Sequence, residues 1–483
     1  MSSVQSPPGS SAAAVVGLLV GVEFVSGYIQ GVVPTVTPAL GTALGVDSAS
    51  LNWINSVFLL SSALWVPVLS KLGDLYGHRR LLRLSVVLLI VGSVLVALAP
   101  TLALALAGRV LQGALLCFLP LEMALVRDRL DTERARAGIA ILIGALTLGV
   151  SAGSVAGGAL LDLLGSVHMV LWVSAAAAGV CATIPFFFVP ESRTRAQEGA
   201  HVDWAGAALL ALGLGLFMLA LAFGPQRGWA DPGTLTSLLV GATVLVAWCR
   251  FELHQAHPLV AIRHLAQPRL LALYCAAALA GMALLGSPTV VATFAATPHA
   301  AGYGFGLSGT GLGFFLQTTA VSAFVASLLA PRLVAVIGQS VIVTGGFVLI
   351  AVAFAATMPL SASLPGMVVA LGILGLGGGT VAAVLPAMIL EQLPRTEGGI
   401  SAGVYNMVRT LGGSVMAGVF AAVLASATSG TTQRITSGGY TAVWAVCAAV
   451  ALLGATLALA ARGRATAESP AAERVTATSS ASG

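Results

Sequence analysis

Long apolar runs are the feature that most constrains what this chain can fold into. They recur along most of its 483 residues, so that 58% of the chain is apolar and only 8% is charged. Soluble domains carry about 25% charged residues, and the mean hydropathy of +0.98 is too high for a soluble core to hide. A membrane-spanning helix needs about 20 apolar residues, and backbone exposed to lipid must form its hydrogen bonds within its own segment. The sequence therefore predicts an all-α polytopic membrane protein.

Fourteen of these runs are long enough to cross a bilayer. They lie near 13–40, 51–70, 82–100, 103–126, 138–161, 168–189, 204–223, 233–249, 270–294, 309–330, 340–358, 366–390, 402–426 and 440–461. Polar segments at 191–203 and 250–269 divide them into groups of six, two and six. We therefore expect an N-terminal six-helix bundle at 1–190, a cytoplasmic linker with two inserted helices at 191–269, a C-terminal six-helix bundle at 270–462 and a disordered cytoplasmic tail at 463–483.

Basic residues are distributed unevenly between the two sides of this topology. An even number of spans places both termini on one side, and 18 of the 22 lysines and arginines lie in the loops and tail of that side. The opposite loops hold only Arg227 and Arg434, while Arg109 and Arg409 lie inside spans. Because cytoplasmic loops carry the excess of Lys and Arg, the sequence predicts a bacterial inner-membrane protein with both termini in the cytoplasm.

Motifs for catalysis or for direct use of ATP are missing from the sequence. The single lysine, Lys71, does not stand in a Gly-Lys-Ser/Thr context, and there is no His-Glu-x-x-His motif. No His, Asp or Glu cluster has metal-site spacing, and the five cysteines form no Cys-x-x-Cys pair. We expect a protein that is not an enzyme, has no cofactor or metal, and has the lipid bilayer and a small molecule as partners rather than nucleic acid.

The loop after the second candidate span combines glycine, acid and base at close spacing. It reads Ser-Lys-Leu-Gly-Asp-Leu-Tyr-Gly-His-Arg-Arg from residue 70 to residue 80. Gly77 permits a tight reversal between two helices, and Asp74 stands at a helix C-terminus, where a carboxylate needs a cation or a facing helix N-terminus. This pattern predicts a conformational latch formed by Asp74, Gly77, Arg79 and Arg80. A solvated basic turn that serves only topology is the alternative.

Glu23 is an ionisable residue deep inside the first candidate span. A charged side chain at such a depth costs at least about 2.5–3.5 kcal/mol, so it is a functional candidate by default. Ser26, Gly27 and Gln30 share its helix face, and we expect this face to line a cavity near the middle of the membrane. Burial and a nearby cation shift the pKa of a carboxyl group in opposite directions. Their balance can bring the pKa close to neutrality, as proton exchange requires. A satisfied structural hydrogen bond is the alternative.

Two arginines also lie inside spans. Arg109 shares a face of the fourth span with Gln112. Because arginine does not release its proton, we expect Arg109 either to modulate the protonation of Glu23 or to bond carbonyl groups of a neighbouring helix. Arg409 lies about two turns from the cytoplasmic end of the thirteenth span, where it either acts in transport or snorkels to the interface.

Other acidic residues lie closer to the ends of spans. Glu122 and Glu391 fall near cytoplasmic helix ends, and we expect both at the surface or in a latch.

The remaining candidates concern helix packing and the cavity lining. Gly149, Gly153 and Gly157 form a small-xxx-small ridge on the fifth span, followed directly by Gly158, and such ridges let helices approach closely. The expected cavity offers mostly Ala, Gly, Leu and Val, a lining that suits apolar or amphipathic ligands. Its polar and aromatic lining residues are predicted to be Gln30, Gln112, Gln317, Tyr405 and Asn406.

Several of these segments resemble the motifs of the major facilitator superfamily. The 70–80 loop is similar to the signature loop of the family, residues 109–113 (Arg-Val-Leu-Gln-Gly) resemble its intramembrane Arg-x-x-Gln-Gly motif, and residues 149–158 are similar to its antiporter motif. Residues 203–206, 228–229 and 403–413 resemble marks of its fourteen-span drug:proton antiporter branch. Internal symmetry agrees, since Lys71-Leu72 precedes Gly77 at the spacing with which Arg332-Leu333 precedes Gly338.

The resemblance covers nearly the whole chain except its tail, and it implies a function. It implies a secondary transporter, built from two six-helix bundles with two inserted helices, that exports small hydrophobic or amphipathic molecules by proton antiport. We expect Glu23 and Arg109 to carry the proton coupling and the protein to be a monomer. Ser154 and Val155 stand where the antiporter motif normally has proline, and Val25 stands where the branch has an acid. These departures favour the alternative of a facilitator or importer on the same fold. A membrane-embedded enzyme or sensor has no catalytic constellation in its favour.

Overall fold

The structure, a computed structural model, is built from membrane-length helices. It describes residues 10–130, 132–190, 203–255, 267–392, 398–428 and 435–479. Within these ranges the only β-type pairing is an isolated bridge between Thr428 and Ile435. Fourteen helices in them are long and apolar enough to cross a membrane. The prediction of an all-α protein with fourteen spans is confirmed, whereas most of the expected linker at 191–203 lies outside the described residues.

The spans are numbered one to fourteen in chain order. Spans one to six are Ser10–Leu44, Asn52–Tyr76, His78–Leu98, Leu102–Arg127, Thr132–Leu164 and Val167–Phe188, and we call them the N-terminal group. Spans seven and eight are Trp204–Arg227 and Pro232–His254. Spans nine to fourteen are Pro268–Ala296, Gly309–Ile337, Gln339–Leu360, Leu364–Leu390, Gly398–Ser426 and Ser437–Ser479, and we call them the C-terminal group.

The last helix runs further than the sequence predicts. Span fourteen continues to Ser479, through most of the segment 463–483 for which disorder is expected.

Three spans depart from regular α-helix. Span four contains a 3₁₀ segment, Gly113–Cys117, between the α-helices Leu102–Gln112 and Phe118–Arg127. Span six ends in a π-helical segment, Ile184–Phe188, and span nine is interrupted between Leu285 and Pro288. Proline has no backbone N–H, which accounts for the break in span nine. These departures change which side chains face which neighbour.

Spans one and five are in backbone contact along several turns. A Cβ atom added at Gly27 or Gly31 of span one would collide with a backbone carbonyl of span five. A Cβ atom added at Gly149 or Gly153 of span five would collide in the same way with span one. Lipid provides no hydrophobic force between helices, so close packing of small residues stabilises such pairs. The glycine ridge predicted from the sequence is therefore a packing surface for span one.

Equivalent contacts recur in the C-terminal group. Spans nine and thirteen approach at Gly281 and Gly412 as spans one and five do, since an added Cβ at either would meet a backbone carbonyl of the other span. Spans three and four meet at Gly92 and Gly108, and spans eleven and twelve meet at Gly346 and Gly377. The same span pairs are thus close in both groups, as expected for two copies of one six-helix unit.

The two inserted spans pack against each other and against the C-terminal group. Gly241 of span eight lies against Phe217 of span seven. Span seven in turn contacts span thirteen, where Met218 Sδ and Leu221 Cδ1 would each be 3.2 Å from a Cβ atom at Gly418. Span seven also contacts span two, since Ser56 Oγ lies 3.7 Å from Met218 Sδ, so the inserted pair touches both groups.

Hydrogen bonds join the two groups at one end of the molecule. Asp162 Oδ2, near the end of span five, accepts from the backbone N–H and the hydroxyl of Thr310 in the first turn of span ten, both at 2.7 Å. Ser56 and Ser414 donate to each other's carbonyl groups at 2.8 and 2.9 Å, and Asn55 Nδ2 donates to Leu285 O at 2.7 Å. These bonds lie towards the end opposite Gly77, the side that the charge distribution predicts to be periplasmic. We call them the inter-group contacts.

We expect Gly153→Ala to destabilise the protein by about 1–3 kcal/mol, because the added methyl group forces spans one and five apart. The measurement is thermal unfolding of the detergent-purified protein. The matched control is Gly144→Ala in the same helix, where an added Cβ has no atom within 4 Å, so alanine should be neutral or stabilising by up to about 1 kcal/mol. Equal melting temperatures for the two variants would contradict the close contact.

We expect Asp162→Ala to loosen the inter-group contacts, whereas Asp162→Asn retains an acceptor for Thr310. The readout is the labelling rate of a single cysteine that replaces Ser154 in a variant without the native cysteines. Ser154 lies buried against Gly313 of span ten, so its labelling reports separation of the two groups. A membrane-impermeant maleimide is applied from the predicted periplasmic side. Loss of about 1 kcal/mol would raise the rate about fivefold. The same rate in Asp162→Ala as in the parent would show that this bond does not hold the two groups together.

Candidate functional site

Glu23 lies inside the N-terminal group. Its side chain is 1% exposed, and the carboxyl group faces Glu122 of span four and lies near the thiol of Cys181 in span six. Glu23 is the eighth residue of the span that begins at Val16, so it lies roughly 10 Å from that end at 1.5 Å per residue. It therefore lies between that end, which is predicted to be cytoplasmic, and the middle of span one, and its position near mid-membrane stays a prediction.

Glu122 is not at the surface, which corrects the expectation from the sequence. It is fully buried, five residues before the end of span four at Arg127. The cause is the 3₁₀ segment Gly113–Cys117. With 3.0 residues per turn in place of 3.6, these five residues rotate the rest of the helix by roughly 100°. A helical wheel drawn from Arg109 does not anticipate this rotation, so the burial of Glu122 could not be read from the spacing of residues.

The two carboxyl groups share apolar surroundings. Leu19 and Val22 of span one, Leu121 and Leu125 of span four and Ala178 of span six belong to one buried cluster. Oε2 of Glu23 and both carboxyl oxygens of Glu122 receive no hydrogen bond from another residue that the structure describes. Buried polar groups are nearly always paired, so two such acids in one apolar cluster mark this place as a functional candidate.

Arg109 has a different set of partners. Its Nε donates to Ile54 O of span two at 3.1 Å, its Nη1 donates to Gln112 Oε1 at 2.6 Å, and its guanidinium carbon lies 4.1 Å from the centre of the Phe58 ring. Gln112 in turn donates to Ser93 Oγ at 3.0 Å. This network joins spans two, three and four.

The geometry of Arg109 matches one of the two roles considered for it. It bonds a carbonyl group of a neighbouring helix, and in the described part of the chain it forms no ion pair with a carboxylate. Gln112 is only 3% exposed, and its amide is used by Arg109 and Ser93. In this conformation Gln112 is therefore a member of a buried network rather than a free cavity group.

The other predicted cavity residues are spread over spans one, ten and thirteen. Gln30 is half-buried, and its Nε2 donates to Ser26 Oγ at 3.3 Å on its own helix. Gln317 and Asn406 are also half-buried, whereas Tyr405 is buried. Arg409 is half-buried, with its guanidinium carbon 5.9 Å from the centre of the Tyr405 ring. No hydrogen bond in the described part of the chain joins Gln30, Gln317, Tyr405 and Asn406 to one another, so their role as a cavity lining stays a prediction.

The predicted latch contains a short ion pair. Gly77 has a φ of +104° between spans two and three, a conformation that glycine adopts without strain. Asp74 Oδ1 lies 3.1 Å from Nε2 of His78, so the histidine is the cationic partner when protonated. His78 was not singled out from the sequence, although its position four residues after Asp74 places it within reach.

Arginines after the turn hold the end of span six. Arg79 donates through Nε to Pro185 O at 3.3 Å and through Nη2 to Phe186 O at 2.9 Å. Arg83 donates from Nε to Pro185 O at 2.8 Å, and its Nη2 donates to Phe186 O. The π-helical ending leaves these carbonyl groups available, and the two guanidinium groups satisfy them. Arg80 is exposed, and Arg83 is a member of this contact that the sequence prediction omitted.

Glu391 is exposed and accepts a hydrogen bond from Gln339 Nε2 at 2.7 Å. The bond connects the end of span twelve to the start of span eleven, which agrees with the expected surface or latch position. Gly158 of the antiporter-like motif contacts Gly309 at the start of span ten, whereas Gly157 contacts Val32 of span one. Span five therefore uses its glycines against both groups.

The sequence model of the Major Facilitator Superfamily matches residues 19–417, which include all of the motifs described above. The chain belongs to this superfamily. It is therefore a transporter rather than an enzyme, and in the described ranges no group of three or more His, Cys, Asp or Glu side chains is placed to hold a metal ion.

Curated relatives of the chain are transport proteins. It is 30% identical to a triacylglyceride transporter of Mycolicibacterium smegmatis over 74% of this chain and 65% of that protein. It is 26% identical to the cephamycin export protein CmcT of Amycolatopsis lactamdurans, over 82% of this chain and 81% of the relative. It is 25% identical to the multidrug resistance protein Stp of Mycobacterium tuberculosis, over 81% and 71%.

Solved structures share the fold at low sequence identity. The nucleoside transporter NupG matches with a TM-score of 0.66 and 15% identity over 92% of this chain and 99% of that chain. A peptide transporter POT in complex with sulfate matches with a TM-score of 0.68 and 16% identity over 93% and 94%. At these identities the likeness supports the fold alone.

We expect Arg109→Lys to destabilise the protein by about 1–3 kcal/mol although it keeps the charge, because lysine cannot reproduce the planar fork of bonds and the stacking on Phe58. Arg409→Lys is the control, since Arg409 is less buried than Arg109 and should shift the melting temperature less. The measurement is thermal unfolding of the purified protein. Unchanged stability of Arg109→Lys with an altered pH dependence of transport would instead indicate that its charge acts on Glu23.

Proposed function

We propose that this protein exports small hydrophobic or amphipathic organic molecules, such as a drug or a secondary metabolite, in exchange for protons. The observation that carries the proposal is the burial of Glu23, whose side chain is only 1% exposed inside a superfamily transporter. In the described ranges no cation is paired with this acid. A carboxyl group in such a place is stable when it is neutral and costly when it is ionised. It therefore responds strongly to the arrival or loss of a proton.

Export and substrate class are inferred from the relatives and the lining. The names of three relatives include export of cephamycin, multidrug resistance and transport of triacylglycerides. These cargoes differ widely, so the shared property that we carry over is an apolar or amphipathic ligand. A cavity rich in Ala, Gly, Leu and Val with scattered polar groups suits such molecules, and Gln317, Tyr405 and Asn406 are the polar lining residues that we propose.

The orientation of the transporter gives the structure a place in the transport cycle. With 18 lysines and arginines on one side, we propose that both termini face the cytoplasm and that the protein lies in the inner membrane as a monomer. In this orientation the inter-group contacts close the periplasmic side. We propose that these contacts hold that side closed while substrate enters from the cytoplasm.

The chain supplies the parts that alternating access needs. Opening towards the periplasm requires the bonds of Asp162 with Thr310 and of Ser56 with Ser414 to break. The two groups would then rock as units around the central site, as in other transporters built from repeats. Exchange follows when a proton from the periplasm displaces substrate and is released to the cytoplasm in the next half of the cycle.

A facilitator or importer on the same fold is the second candidate. Val25 stands at the position of the acid of the antiporter branch, and Ser154 and Val155 replace the proline of the antiporter motif. Such a protein would move its substrate only down a gradient, or inward. The direction of accumulation in sealed vesicles separates the two candidates.

We expect everted vesicles that contain the protein to take up ethidium, used as a lipophilic cationic probe, and to release protons from their lumen when a proton gradient is imposed. Glu23→Gln should abolish gradient-driven uptake, because the amide cannot exchange a proton. The measurements are ethidium fluorescence and a lumenal pH indicator.

The matched control for this test is Asp231→Asn, because asparagine caps the start of span eight as well as aspartate does. Normal transport by Glu23→Gln at every pH tested would exclude Glu23 as the coupling residue. Ethidium equilibration without accumulation would favour the facilitator.

A further inference from the structure

Glu23 and Glu122 form a buried pair of acids within the N-terminal group. Glu23 is 1% exposed and Glu122 is not exposed at all, and their carboxyl groups face each other. No N–H or O–H group of another described residue donates to Glu122 or to Oε2 of Glu23. A hydrogen bond between two carboxyl groups exists only when one of them carries a proton.

The elements that surround the pair provide no counter-charge. From span six, Cys181 faces both acids. From span three, Arg79 and Arg83 donate instead to the carbonyl groups at the end of span six, and Arg109 is directed to span two. In the described residues, neither acid has a Lys, Arg or His nitrogen within 4.0 Å.

These observations limit the protonation states of the pair. Two like charges in contact, both removed from water, raise the free energy far more than one does. A second buried charge is also costly in an apolar cluster such as the one around Leu121 and Leu125. The doubly ionised form is therefore strongly disfavoured in this conformation, which is most stable when the two acids together hold at least one proton.

We propose that Glu23 and Glu122 together form a single two-carboxyl proton site, in which the acids share a proton and Glu122 is an equal partner of Glu23. The inference rests on the proposed function, because the shared proton is the one that we assign to exchange with substrate. It assigns a role to Glu122 that the sequence did not indicate, and it places Arg109 outside the site. Loss of the proton leaves charge without a counter-ion, so it favours a conformation in which water reaches spans one and four.

Infrared spectroscopy of the reconstituted full-length protein tests the shared proton without any transported molecule. The C=O stretch of a protonated carboxyl group is followed through a pH titration for wild type, Glu23→Gln, Glu122→Gln and the double variant. We expect wild type to show a band at neutral pH that the double variant lacks. In each single variant, the pH at which the band of the remaining acid is half lost should fall by at least about one unit. The reason is that the neighbouring acid no longer opposes ionisation.

The control for the infrared test is Asp231→Asn, which changes a carboxyl group far along the chain at the start of span eight and should leave the band unmoved. Glutamine is close in size to glutamate and uncharged, and retained thermal unfolding of each variant verifies that it is folded. If no band distinguishes wild type from the double variant, or if neither single substitution moves the band of the other acid, the shared site is wrong.

A transport arm separates the inference from the proposed function. We expect Glu122→Gln to lose proton release driven by ethidium in vesicles, as Glu23→Gln does. Coupled infrared titrations without any release of protons by wild type would retain the shared site and overturn proton antiport. Full proton release by Glu122→Gln, with an unmoved Glu23 band, would overturn the shared site and retain antiport.

Discussion

Close contact between helix backbones is the constraint on which the rest of this structure depends. Within lipid, apolar side chains gain nothing by meeting each other rather than the acyl chains, so helices associate through dispersion contacts at short range. Glycine makes this range possible between spans one and five, where the absence of Cβ atoms at Gly27, Gly31, Gly149 and Gly153 lets carbonyl groups lie against the facing helix. The same device joins spans nine and thirteen at Gly281 and Gly412.

The contacts within a group differ in kind from those between groups. Within each group, extended glycine-lined surfaces keep helices in register over several turns. Between groups, the hydrogen bonds are those of Asp162, Ser56, Ser414 and Asn55, together with short approaches such as Gly158 to Gly309. The bonds of Asp162 with Thr310 are exposed, so water can replace them, whereas those between Ser56 and Ser414 are buried. Rigid-body rocking requires that the contacts between the groups break while those between spans one and five persist.

The sequence predicted the features that depend on periodicity and on single glycine positions. Hydropathy located all fourteen spans, and the spacing around Gly77 located the turn between spans two and three. It did not predict Glu122, because the 3₁₀ segment before it changes the helical phase. It also did not single out Arg83, whose acceptors are carbonyl groups in the last turn of span six. Local backbone departures of this kind carry no periodic signal, and they decide which buried polar groups meet.

The proposed proton site lies within the N-terminal group, so any effect of protonation on the C-terminal group must pass through contacts between helices. Glu23 lies in the same helix as Gly27 and Gly31, one and two turns further along, and those glycines contact span five. Span five then meets span ten at Gly158 and through Asp162. A change of charge at Glu23 that shifts or rotates span one must therefore be transmitted to span five, because their backbones touch without side chains to absorb the movement. The bonds at the far end of span five belong to the inter-group contacts, so protonation and closure can be coupled through two rigid helices without any residue that contacts both sites.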